Sequence, residues 1–261
     1  MEAVFNLEAY LARIGYRGRL DATAESLHGL HLAHAVSIPF ENLDIQMGLP
    51  IHLDLASLQD KMVHRRRGGY CFEQNTLFQA ALKAVGFNPR PCEARVRFGN
   101  VVDTARTHML LLVGVGSTEF LCDVGFGGEG LLHPVPMDGA EHAQFLATYR
   151  VVPEGNLQVL QCLQPEGWFD LYAFVPEARE PIDFEVANWY TSTHPQSRFV
   201  TTLTAQLPTP EARYVLRNRT LVTNRGSVPE IRELEDAELF EVLKNRFGLE
   251  VVPGTRLRAL E

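Results

Sequence analysis

One cysteine in this chain stands where a thiolate would be stabilised. Cys71 follows Arg65-Arg66-Arg67-Gly68-Gly69-Tyr70 and opens a segment, CFEQNTLFQAAL, with the apolar spacing of a helix. A helix N-terminus and nearby cations depress a cysteine pKa to roughly 3.5–7.5, and the thiolate is the nucleophilic form. Gly68-Gly69 lets the backbone approach closely, and the N–H groups of such a turn are candidate oxyanion donors. A nucleophilic thiol also needs a base and a group that orients the base. His108 begins the run THMLLLVGV and Asp123 ends the run TEFLCDV, two strand-like segments joined at Gly116-Ser117. A hairpin turning there sets His108 opposite about residue 125, which makes His108 and Asp123 near neighbours across two strands. An acid bonded to one imidazole nitrogen leaves the other to face a thiol. Each of the three residues alone has an ordinary structural explanation; their joint placement argues for acyl-transfer chemistry.

Helices must carry the thiol and a sheet must carry the base. Asn6 caps a helix with Leu7, Tyr10, Leu11 and Ile14 on one face, stopped at Gly15. Thr23 caps a second, bearing Leu27, Leu30 and His34. Pro39 breaks the pattern and leaves PFENL as a loop. Asp54 caps a third helix, with Leu55, Leu58 and Met62 on one side, and the fourth runs from Cys71 to Gly86. Beyond Pro91 the period changes to that of strands: 93–98, 107–115, 118–124, 145–152, 157–163 and 168–174. A short helix at 182–190, strands at 198–206 and 213–223, and a final helix capped by Asp236 and stopped by Gly248 complete the chain. Helices followed by strands indicate an α+β fold.

Composition excludes several function classes. The 261 residues are 46% hydrophobic and 21% charged, with a net charge of -8, which argues against general nucleic-acid binding. The longest apolar run, Met109–Val115, is too short to span a bilayer, and the N-terminus lacks the pattern of a signal peptide. Four dispersed cysteines (Cys71, Cys92, Cys122, Cys162) then read as reduced thiols of a cytoplasmic protein, with all but Cys71 structural. On the same reading, Asn218-Arg219-Thr220 is an irrelevant match to a glycosylation triplet. GFGGEG at 125–130 matches the dinucleotide fingerprint, but LLHPVPMDG cannot form the helix that motif requires. His28, His31 and His34 lack a further ligand and read as surface histidines, not a metal site. Arg65 and Arg66 read as a solvated face, and Arg67 as a candidate for ordering the turn.

RGGYCFEQN, THMLLLV and DVGFGG, with PFENL upstream, resemble the arylamine N-acetyltransferase family in order and spacing over nearly the whole chain. The resemblance implies a helical bundle (1–86), a β-barrel (87–190) and an α/β lid (191–261) around a cysteine-protease-like core. It implies ping-pong acetyl transfer from acetyl-CoA to arylamines, arylhydrazines or N-hydroxyarylamines. Cys71 would be the acetylated nucleophile, His108 its base and Asp123 the orienter. Phe40, Phe126 and Phe199 would line the aromatic pocket, and Thr107, Gly127 and Gly128 would meet coenzyme A. No metal, nucleic acid or membrane partner is implied, and the protein would be a monomer or homodimer. Gln74 departs from the leucine common in the family, at a position expected to touch no assigned role. Two other readings stand beside this one: a thiol hydrolase or transglutaminase-like enzyme with the same triad order, and a catalytically silent binding module.

Overall fold

The computed structural model describes residues 4–98, 104–226 and 228–261. The helical third contains Leu7–Ile14, Ala24–Ser37, Leu43–Gln46, Leu55–Leu58 and Cys71–Val85. The expected caps are present: Asn6, Thr23 and Asp54 accept from the N–H groups of Ala9, Ser26 and Ser57, and Gly15 and Gly86 close their helices in the left-handed region. The Asp54-capped helix does not continue as α-helix to Met62; from Gln59 to His64 it widens into a π-helix. PFENL is not wholly loop either, because Phe40–Glu41 forms a two-residue strand beside Thr204–Pro208.

Eight strands form one antiparallel sheet that curls into a nearly closed barrel. Their spatial order is Val135–Pro136, Thr118–Cys122, Arg106–Val115, Arg90–Val96, Gly167–Phe174, Leu157–Gln164, Ala147–Glu154 and His142–Gln144. The hairpin at Gly116-Ser117 has the expected register, running from Val115 opposite Thr118 to Leu111 opposite Cys122. Its strand Arg106–Val115 is apolar throughout because both faces are covered. Met109, Leu111 and Val113 pack on the helices, and Leu110 and Leu112 face the barrel interior.

A second antiparallel sheet orders Phe40–Glu41, Thr204–Pro208, Arg213–Arg217, Thr220–Asn224 and Glu230–Glu233, with Asp236–Phe247 as the last long helix. Three expectations are corrected here. Residues 198–201 are helical, because Ser197 accepts from the Phe199 N–H and starts a turn. The run 213–223 is a hairpin, turned at Asn218, whose φ of 52° ends the strand. Glu235, not Asp236, occupies the cap position of the final helix. No helix among the described residues is long and apolar enough to cross a membrane.

Candidate active site

The turn ahead of Cys71 is held from three sides. Arg13, buried and without a carboxylate partner among the described residues, donates to the carbonyls of Met62, Ser37, Arg66 and Arg67. Gly68 has no room for a side chain: a Cβ there would lie 2.0 Å from the Pro39 carbonyl oxygen. Beneath it sits a buried charge lattice. Lys61 Nζ contacts Asp44 at 2.6 Å and Glu73 at 2.7 Å, and Arg67 reaches Glu41 at 2.8 Å and Asp44 at 3.0 Å. Burial alone would lower the Lys61 pKa, but the Glu73, Glu41 and Asp44 carboxylates override it and raise it. Glu73 also accepts the Tyr70 N–H, at 3.1 Å, and so fixes the first turn of the helix that Cys71 opens. Arg67 therefore orders the turn, whereas Arg65 pairs with Asp60 at the surface.

Gln74 is more involved than expected. It is fully buried and donates to the carbonyls of Pro39 and Gly69, so its Oε1 is left to accept from His34 Nε2 at 3.0 Å. The other ring nitrogen of His34 must then accept from Tyr10 Oη, at 2.8 Å. His34 and His31 are not surface histidines. Both are fully buried, and burial pushes the pKa of each down to about 3. Each is neutral and hydrogen-bonded on both nitrogens, which is why a polar ring is tolerated in that core.

The base lies where the hairpin predicted. His108 Nε2 is 2.6 Å from Asp123 Oδ2, and both side chains are buried. The strand ends at Cys122, one residue before Asp123, because the carboxylate accepts the Gly125 N–H and turns the chain away from the ladder. Asp123 Oδ1 accepts from Asn75 Nδ2 and from Gly125 N, each at 3.0 Å; Oδ2 accepts from His108 and, at 2.9 Å, from Tyr172 Oη. Its own N–H donates to His31 Nε2 at 3.1 Å, which fixes His31 as the tautomer donating to the Leu132 carbonyl. Burial would lower the His108 pKa, but the Asp123 charge and hydrogen bond, then the Cys71 side chain, push it up to about 10. Burial would raise Asp123, yet the His108 charge and the donors around it hold it below the usual carboxylate value. Asp123 thus favours the charged form of the His108 ring.

Cys71 meets this pair from the helix side. Its sulfur is 3.7 Å from the Thr107 carbonyl oxygen, next to His108 in sequence, and the residue is 3% exposed. Asn75, one turn further along the same helix, donates to the Met109 carbonyl at 2.7 Å and accepts the Val124 N–H at 3.2 Å. It ties the cysteine's helix to the strand Arg106–Val115 and to the turn that follows Cys122. A Cβ on Gly125 would lie 2.8 Å from Cys71 Cα, so a glycine is needed for this close approach.

Two cavities lie beyond Phe126, whose ring is 5.1 Å from that of His108. Phe40, Phe126 and Phe199 line a narrow one of about 60 Å³ together with Phe98 and Gly128. A larger one, of about 530 Å³, shares Phe98 and Gly128 with it and extends past Trp168 and Phe169. Gly127 (φ +70°) packs on Phe40 and Gln206, and the Gly128 N–H donates to Gln206 Oε1. Thr107 is not among the residues lining either cavity. No helix follows GFGGEG, which excludes the dinucleotide reading.

The N-acetyltransferase family model matches residues 23–256. A Mycobacterium tuberculosis arylamine N-acetyltransferase is 41% identical over 98% of this chain and 93% of its own length. The chain belongs to the arylamine N-acetyltransferase family. A Salmonella typhimurium relative, named arylamine N-acetyltransferase / N-hydroxyarylamine O-acetyltransferase, is 36% identical over 94% of this chain and 89% of its own. The solved Mycobacterium marinum arylamine N-acetyltransferase in complex with CoA superposes with a TM-score of 0.92 at 36% identity, covering 98% of each chain. This family membership makes the protein an acyltransferase and removes the silent binding module from consideration.

Sequence reasoning missed Tyr172, Asn75, His31 and Phe98. Asn75 had a signal, since it stands in the same motif as Cys71 and one helical turn away, on its face. Tyr172 had none, because it arrives from a strand 49 residues beyond Asp123.

Proposed function

We propose that the protein transfers acetyl from acetyl-CoA to the nitrogen of arylamines or arylhydrazines, or to the oxygen of N-hydroxyarylamines, through an acetyl-Cys71 thioester. The observation that carries this reading is the His108–Asp123 pair at 2.6 Å in contact with the Cys71 helix. An imidazolium beside a sulfur favours the thiolate, which attacks the acetyl-CoA carbonyl; the tetrahedral oxyanion collapses and expels coenzyme A as a thiol that takes its proton from His108. The second half reaction reverses the roles. The acceptor nitrogen attacks the thioester, neutral His108 takes its proton, and the Cys71 thiolate leaves. Asp123 holds the imidazole orientation throughout. The first step exchanges one thioester for another and is close to isoenergetic.

We take residues 191–261 as a lid over the two cavities, with residues 1–86 carrying the nucleophile and 87–190 the base. The narrow cavity of Phe40, Phe126 and Phe199 would hold the acceptor ring, and the larger one the nucleotide end of coenzyme A, with Gly127 and Gly128 at its entrance. Thr107 contributes its carbonyl beside the sulfur instead of a contact in that cavity. Four free cysteines suit a reducing cytoplasm, and the chain acts as a monomer or homodimer.

Intact mass spectrometry after mixing with acetyl-CoA alone tests the mechanism. An acetyl adduct on Cys71, discharged by an added arylamine, is expected. No adduct, or one on Cys92, Cys122 or Cys162, would overturn it. Discharge by water as fast as by the amine would favour the thiol-hydrolase reading instead.

A further inference from the structure

Two arginines stand at the junction of the two cavities without an ion pair among the described residues. Arg217 lines both, and Arg198 lines the narrow one. Neither forms an ion pair or a side-chain hydrogen bond among the described residues. Arg67, Arg97, Arg179 and Arg219 are all paired with carboxylates. The wall of the larger cavity also carries Glu166 and Glu129. Glu129 lies 3.9 Å from the buried Arg213, which donates to the Gly128 and Gly130 carbonyls and to Tyr149, and its charge partly offsets that of Arg217.

The backbone under both arginines is fixed. Arg217 ends its strand directly opposite Thr204, and the Asn218 side chain beyond it accepts the Leu203 N–H at 3.0 Å. Arg198 follows Ser197, which caps its turn. The two guanidinium groups repel each other: after burial, the Arg198 charge is the next cause that lowers the Arg217 pKa. Arg198 and Arg217 are both exposed residues, so both guanidinium groups are open to a bound anion, which two neighbouring like charges on fixed backbone favour.

A wall of rings connects them to the triad. Phe126 lies 5.1 Å from the His108 ring, Phe98 stacks on Phe126 at 5.4 Å, and the Arg198 guanidinium stands 5.9 Å from the Phe98 ring centre. The wall thus runs without a break from the His108 ring to the Arg198 guanidinium.

We propose that Arg198 and Arg217 form an anion subsite at this junction, taking a carboxylate or phosphate oxyanion of a bound substrate. It rests on the acetyl-transfer reading. The two sources of such an oxyanion are a carboxylate on the acceptor ring and a phosphate of coenzyme A, and the same variants separate them.

The test uses R198Q, R217Q and the double variant in the full chain. For a carboxylate on the acceptor, the ratio of kcat/KM for 4-aminobenzoate to that for its ethyl ester falls about tenfold in the double variant, as for one lost charge-assisted hydrogen bond. For a phosphate of the donor, the rate of Cys71 acetylation by acetyl-CoA relative to S-acetylpantetheine falls by about the same factor. Both ratios staying within about twofold of the unsubstituted chain would overturn the subsite. Calorimetric titration of the unacetylated protein with 4-aminobenzoate against its ester, and with coenzyme A against pantetheine, reads the same preferences without turnover. The subsite therefore stands or falls separately from the thioester mechanism.

Discussion

The turn beneath Cys71 is held by charges, whereas the carboxylate behind His108 is cradled mainly by neutral donors. On the cysteine side, Lys61 and Arg67 lie between Glu41, Asp44 and Glu73, all little exposed. On the histidine side, an amide, a phenol and a backbone N–H surround one carboxylate. The difference matters because the two kinds of support fail differently. Removing one ion from a buried lattice leaves the others uncompensated, so the loss is abrupt. Removing one neutral donor leaves an acceptor with fewer bonds, a graded loss. The nucleophile is thus placed by an all-or-none device and the base by an adjustable one.

The comparison breaks most visibly at its centre. Asp123→Asn keeps the shape but cannot keep the bonds: four donors point at two oxygens, and an amide offers one oxygen and one NH2. Whichever way it is placed, two donors face a donor. Turnover is expected to fall by about 10⁴, the order seen when a serine-triad aspartate is made an asparagine. Steady-state kinetics with circular dichroism as a folding control checks this, and near-normal activity would remove Asp123 from the mechanism. Next in size is Lys61→Met, which strands the buried Glu73 without its cation and leaves Asp44 with Arg67 alone. It should destabilise the fold by about 3–5 kcal/mol in urea denaturation. A loss below about 1 kcal/mol would show that the lattice is not all-or-none.

The buried histidines sharpen the comparison through pH. His31 and His34 are held neutral, with pKa values pushed down to about 3, so the unfolded chain binds protons that the folded chain refuses. Their contribution to stability is present above about pH 6.5 and is lost as pH falls, by about 1.4 kcal/mol per unit for each histidine. His108 has the opposite sign: its contribution is complete below about 6.5 and is lost as pH rises through about 10. Urea midpoints should therefore hold or rise slightly from pH 7.5 to about 6.5, as His108 completes its contribution, and then fall from about 6.5 to 5 as the His31 and His34 contributions are lost. A flat profile would mean that His31 and His34 take up protons in the folded state.

The parts of this architecture legible in the sequence are those written locally. The caps at Asn6, Thr23 and Asp54, the glycine stops and the Gly116-Ser117 hairpin each depend on neighbours within a few residues. The hairpin brought His108 and Asp123 together because its register follows from the turn. The helix at 198–201 carried a local signal that was not followed, the Ser197 cap, whereas no cap or stop marks the π-helical widening at 59–64. His31 and His34 carried a signal that was not followed: His34 shares a face with Leu27 and Leu30, and that face is buried. Glu41 and Glu73 stand in the PFENL and RGGYCFEQN motifs, so their neighbours marked them, but their pairing with Arg67 and Lys61 and the arrival of Tyr172 are set only by the fold.

Tyr172→Phe is the smallest change that still distinguishes the two regions. The phenol is fully buried, and burial together with Asp123 raises its pKa well above the ordinary value, so it only donates. Deleting the hydroxyl leaves His108 as the one donor to Oδ2 and keeps the ring against His108, 4.8 Å away. A hydrogen bond to a charged group contributes about 1.5–3 kcal/mol, so kcat/KM should fall about tenfold or somewhat more while the fold survives. With one donor fewer, the Asp123 pKa rises and the acid limb of the pH–rate profile moves upward, a shift that a packing defect would not produce. A loss as large as that of Asp123→Asn would show that the cradle, like the lattice under Cys71, fails all at once.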